Sequence, residues 1–138
     1  MTSKRKCLIV SCFLIATAIG FGAFGAHILN PGLEEKYVRT LSTANLYFLF
    51  HGLGLLVLAS LMNPTNIAFL KWSYWILVVG IVLFSGSLYA IVLSKFWDFA
   101  LPDFVGPCTP FGGMLFIIGW LSTSYGFLKD ANTVISKK

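Results

Sequence analysis

From Cys7 to Leu29 the chain runs without a charged residue. A helix needs about 20 apolar residues to cross the hydrocarbon core of a bilayer. This stretch therefore predicts a membrane span, and Asn30-Pro31-Gly32 predicts its end. Charge then returns at Glu34, Glu35, Lys36 and Arg39. Among these, Leu33, Tyr37 and Leu41 recur at i, i+4 and i+8. That spacing predicts a short amphipathic helix over Leu33–Thr43, lying at the membrane interface and leading into a second span. Three further stretches lack charge: Ala44–Met62, Trp72–Leu93 and Phe111–Leu128. Asn63-Pro64 ends the first of them, and a loop with Pro102, Pro107 and Pro110 precedes the last. Short connections make neighbouring helices antiparallel. The predicted fold is all-α, an integral membrane antiparallel four-transmembrane-helix bundle forming a single membrane domain over residues 1–138.

Aromatic residues fit this frame. Trp72, Tyr74 and Trp75 flank one end of the third span, and Phe96 and Trp97 flank the other, as an interfacial aromatic belt would. Composition agrees. Of the 138 residues, 57% are hydrophobic and 11% charged, against about 25% charged in soluble domains. Too few groups remain to solvate a water-soluble monomer.

Net charge is +5, but position matters more than the total. Lys4, Arg5, Lys6, Lys71, Lys129, Lys137 and Lys138 fall on one side of the four spans, and Lys36, Arg39 and Lys95 on the other. Seven against three predicts that both termini face the cytoplasm. The expected location is the plasma membrane, meaning the bacterial inner membrane, in multi-pass form. No run interleaves basic residues with aromatics as a single-strand groove does, so no nucleic-acid partner is expected. The natural partners of these cations are anionic membrane lipids.

Cys7, Cys12 and Cys108 form no CxxC pair, and no Cys/His group has zinc spacing. They are expected to be small apolar packing residues, with no metal site and no cofactor. The basic residues before Cys7 and the triplet Ala16-Thr17-Ala18 resemble parts of a signal peptide, but apolar character continues to Leu29. The segment is expected to stay as a span.

In lipid, helices associate through close backbone approach and interhelical hydrogen bonds. Ala18, Gly22 and Ala26 form a small-residue stripe at steps of four, and Gly86, Gly112 and Gly113 offer similar points of approach in the third and fourth spans. Such a stripe also allows a homo-oligomer or a membrane-protein partner.

No Asp, Glu, Lys or Arg lies within the spans, so the chain's two histidines stand out. Counting rise along each helix puts His27, Tyr47, His51, Ser85, Ser87, Tyr89 and Thr109 in the outer half of the membrane. Three readings stay open: a structural knot of mutual hydrogen bonds, a small outward-open ligand site, or accidental, unconnected positions. Bis-histidine haem ligation by His27 and His51 is disfavoured, because the two lie on adjacent helices at depths that differ by about 5 Å at 1.5 Å per residue.

Four stretches carry a resemblance: Gly22-Ala23-Phe24-Gly25-Ala26-His27, Tyr47-Phe48-Leu49-Phe50-His51, Leu83-Phe84-Ser85-Gly86-Ser87-Leu88-Tyr89 and Thr109-Pro110-Phe111-Gly112-Gly113. In this order they resemble the YgdD-like family of small bacterial inner-membrane proteins, over about Gly20 to Leu121. The resemblance implies a four-helix membrane protein. It supplies no activity, substrate or catalytic residue, and the longer charged C-terminal tail departs from it.

The residues themselves point first to a non-catalytic membrane protein, an accessory or envelope-maintenance factor. The alternative is a binder or carrier of a small molecule, lipid or quinone at the polar cluster. No catalytic residue is proposed.

Overall fold

The computed structural model describes residues 3–63 and 67–135. Four long helices follow in order: α1 (Ser3–Phe24), α2 (Glu35–Leu61), α3 (Ile67–Phe96) and α4 (Val105–Ile135). No strand occurs among the described residues. All four helices are long and apolar enough to cross a membrane. A spanning helix satisfies its own backbone groups, which hydrocarbon cannot.

The ends of the helices follow local chemistry. Pro31 has no N–H and forbids a regular α-turn through the residues before it. The chain there widens into a π-turn over Gly25–Leu29, tightens into a 3₁₀ turn over Asn30–Gly32, and stops. Lys4, on the first turn of α1, reaches across to the end of α2 and donates to the carbonyls of Ser60 and Met62 at 2.6 and 2.9 Å. Those carbonyls lack helical partners, and a cation suits that end of the helix dipole. Asp98, just past α3, turns the chain with φ of 51°, a left-handed conformation that Asp tolerates better than most residues.

Two expected boundaries move. The helix over Leu33–Thr43 is not a separate interfacial element. From Glu35 onward it is the first part of α2, with no break at Ala44. Its apolar stripe faces protein: Leu41 is buried, and Leu33 and Tyr37 pack against the core. The fourth helix begins at Val105, not Phe111. Pro107 sits in its first turn, where a missing N–H costs nothing.

Each helix packs chiefly on its neighbours in sequence, α1 on α2, α2 on α3 and α3 on α4, and α1 and α4 share no comparable interface. In the most apolar 18-residue window of each helix, 39% of α3 is buried and only 17% of α1. Thus α3 is the most enclosed of the four helices and α1 the least.

The α3–α4 interface is a glycine seam. Gly112, Gly119 and Gly126 recur every seven residues on α4 and receive Phe84, Leu77 and then Phe69 with Leu70 from α3. A Cβ at Gly112 would fall on the Phe84 backbone nitrogen and lie 2.8 Å from its Cα. Gly80 returns the arrangement, taking the Phe116 ring. Antiparallel steps of seven keep one face of each helix in register along the whole contact.

The α1 stripe departs from the i+4 reading. Ala18 is buried and Gly22 abuts Asn45, but Ala26 is exposed and Gly25 takes its place against Leu41. Four residues turn about 400° at 3.6 per turn. Two such steps from Ala18 carry Ala26 about 80° around the helix. Gly86 is also not a packing position, because a Cβ there would meet nothing within 4 Å.

Candidate functional site

Hydroxyls in the hydrocarbon must find partners, and several of those in this bundle tie helices together. Tyr74, with no exposed surface, donates to the Cys7 carbonyl at 2.8 Å and pairs with Ser11 Oγ at 2.9 Å. It locks α3 to α1 and does not belong to an interfacial belt, whereas Trp72 and Trp97 remain exposed. Ser73 and Ser122 pair at 2.8 Å, and Ser87 and Thr109 at 2.6 Å, joining α3 to α4 at two levels.

A third junction joins three helices. Tyr89 donates to Asn45 Oδ1 at 2.9 Å and stacks on Phe21 with ring centroids 4.6 Å apart. The Asn45 amide in turn rests where Gly22 has no side chain. Asn45 is the residue that sequence reasoning missed. It lies one residue inside the predicted second span, and a polar amide in an apolar run was the available signal.

The seven residues expected to cluster are therefore not brought together. Ser87 and Thr109 form one pair, and Tyr89 belongs to the Asn45 junction. Ser85 is fully buried, and its hydroxyl has no hydrogen-bond partner among the described residues. His27 is exposed on the π-turn, and no hydrogen bond or ring contact joins it to the other six. Rise along a helix gives depth, not the side that a residue faces. The haem reading loses its geometric basis, since the two histidines face different surroundings.

Tyr47 and His51 stay together and form the most distinctive site. They share one face of α2. The His51 ring lies against Phe116 of α4, centroids 3.6 Å apart and 19° from parallel. Tyr47 leans on Phe84 of α3 at 4.6 Å. Trp120 stands 6.2 Å from His51 and packs over Gly54. These side chains line an open groove of about 510 Å³, walled by α2 and α4 and floored by Phe84, with Gly113, Ile117 and Leu121 along the far wall. His51 Nδ1 lies 2.8 Å from the Tyr47 carbonyl. A carbonyl only accepts, so Nδ1 carries the hydrogen and, in the neutral ring, Nε2 keeps its lone pair.

No group of three or more His, Cys, Asp or Glu that could hold a metal occurs among the described residues.

The family described as protein of unknown function DUF423 matches residues 21–113. That interval contains all four stretches on which the resemblance rested, ending at Gly113. The chain belongs to this family. Similar relatives are called UPF0382 membrane proteins. One from Staphylococcus epidermidis is 45% identical over 114 residues, covering 83% of this chain and 88% of the relative. YwdK of Bacillus subtilis is 39% identical over 105 residues, 75% of this chain and 80% of its own length. A relative from Haemophilus influenzae is 39% identical over 128 residues, 92% of this chain and 97% of the relative. No solved structure matches. With four helices able to span a bilayer and bacterial membrane proteins as relatives, this DUF423 member is a membrane protein of an uncharacterised family.

Proposed function

We propose that the protein is a non-catalytic accessory or envelope-maintenance factor of the bacterial inner membrane, with both termini in the cytoplasm. The observation that carries this reading is how the polar side chains are used. Ser11, Ser73, Ser87, Tyr74 and Tyr89 each engage a group on another helix. They knit a scaffold and are not arranged as nucleophile and base.

The test separates scaffold from chemistry. Ser87→Ala with Thr109→Val, and separately Tyr74→Phe, should change any cellular phenotype only as far as they lower the amount of folded protein in the membrane. A variant that accumulates and melts like the parent yet loses the phenotype would overturn the reading. Orientation has its own test. Reporter fusions at Lys138 should report cytoplasm, and fusions near Lys36 or Asp98 the outside. An external C-terminus would refute the charge-based topology.

The second reading, a binder of a small lipid-soluble molecule, is favoured by one specific observation, the groove around His51.

A further inference from the structure

We propose that the α2–α4 groove binds a lipid-soluble molecule bearing a hydroxyl on a flat aromatic ring, a phenol or hydroquinone with an apolar tail, and that His51 Nε2 accepts its hydrogen bond. The inference goes beyond the accessory role and needs only that the helices lie in a membrane.

Depth comes first. His51 is about 24 Å from the start of α2 and about 15 Å from its end at 1.5 Å per residue. It therefore sits in hydrocarbon whichever way the chain is oriented. Water is absent there, so a polar atom depends on protein or ligand for a partner. His51 Nδ1 is taken by the Tyr47 carbonyl. No hydrogen bond reaches Nε2 among the described residues. The neutral ring thus offers an acceptor to whatever enters the groove, and the complement is an O–H or N–H donor.

Shape selects further. The groove is faced by the rings of Tyr47, Phe84, Phe116 and Trp120, with His51 lying almost flat on Phe116. Flat aromatic walls favour a flat ring, stacked or tilted against them. A volume of about 510 Å³ falls within the 300–1,000 Å³ usual for small-molecule sites. The rim residues Ile117 and Leu121 are 64% and 66% exposed and face lipid. Entry is sideways from the bilayer, which requires a lipid-soluble ligand. Donor chemistry also sets the redox form. A hydroquinone can donate to Nε2, whereas the oxidised quinone has only acceptor oxygens.

The full chain in lipid nanodiscs, with its histidines ¹⁵N-labelled, tests this directly. The chain has two histidines, so His27→Gln leaves one ring to observe. Four probes are titrated: a dodecyl hydroquinone, its dimethyl ether, the corresponding quinone and a diacylglycerol. The expected result is a saturable upfield shift of the His51 Nε2 resonance with the hydroquinone alone. Gly113→Leu, which fills the groove from α4, should weaken that binding about tenfold or more. The absence of a saturable shift, or an equal shift with the ether, would overturn the proposal. An equal response to diacylglycerol would overturn the aromatic selectivity and with it the stated ligand class. The ether comparison uses no groove variant, so it decides the matter even if Gly113→Leu fails to fold.

Discussion

Gly112 and Gly113 are adjacent in the chain and play opposite parts. Gly112 is buried against the backbone of Phe84, where a Cβ would strike main-chain atoms. Gly113 faces the groove, and the nearest atoms to a Cβ there belong to the Phe84 ring at 3.8 Å, an ordinary contact. One residue of rotation, about 100°, separates the closed seam between α3 and α4 from the open space between α2 and α4. The seam achieves close approach by matching each glycine with a bulky partner. The groove leaves its small residue unmatched and surrounds it with rings. In a membrane bundle a glycine signals tight packing only when another helix occupies the space it leaves.

The sharpest way to break this comparison is to add one methyl to each. Gly112→Ala should cost about 3 kcal/mol or more, the upper part of the overpacking range, because the obstacle is backbone and cannot rotate away. Gly113→Ala should stay within about 0.5 kcal/mol, as should Gly86→Ala, which points into open space. Thermal melting of the three variants in one detergent measures all of them. Equal losses at Gly112 and Gly113 would mean that the seam and the groove are not distinct.

The spans themselves were legible because hydrocarbon excludes charge, and the chain shows four stretches without it. The small residues were legible as a class but not by partner. The spacing of Gly112, Gly119 and Gly126 is visible in the chain, yet nothing local says that Phe84, Leu77 and Leu70 stand opposite. Azimuth failed in the same way. Sequence gives the depth of His27 and His51, and only packing decides that one faces outward and the other stacks on Phe116. Proline breaks helices, so the sequence places Pro107 in a loop, although the first turn of a helix tolerates it. Its tryptophan neighbours make Tyr74 look like a belt residue. Its hydroxyl instead reaches the Cys7 carbonyl, a long-range contact with no signature in the local sequence.

The junction at Asn45 should show an intermediate effect. Asn45→Leu leaves the buried Tyr89 hydroxyl without its acceptor, and an orphaned polar group costs about 1–3 kcal/mol. Gly22→Leu should cost a similar 1–3 kcal/mol by driving the Asn45 amide from its seat. If both act through one contact, the double variant should lose less than the sum of the two. Full additivity would separate Gly22 from the hydrogen bond. By contrast, Ser87→Ala removes one member of a pair, and interhelical hydrogen bonds in membranes average only about 0.6 kcal/mol. Its melting temperature should fall least of these.

His51 joins Gly113 and Gly86 at the small end of the expected effects on stability, and that smallness is the point. The Nδ1 hydrogen bond runs to a carbonyl one turn back on its own helix, so it ties no two helices together. That carbonyl also accepts the regular α-helical bond, and removing the imidazole leaves no orphan behind. A leucine there keeps apolar contact with Phe116 and Trp120 and removes a polar nitrogen from hydrocarbon. His51→Leu should therefore melt within about 0.5 kcal/mol of the parent, while His51→Gln should be no more stable than His51→Leu. A loss of about 2 kcal/mol or more in His51→Leu, measured in detergent free of aromatic additives, would mean that the imidazole holds the bundle together. The groove would then belong with the glycine seam as scaffold, and the contrast between the two faces of α4 would collapse.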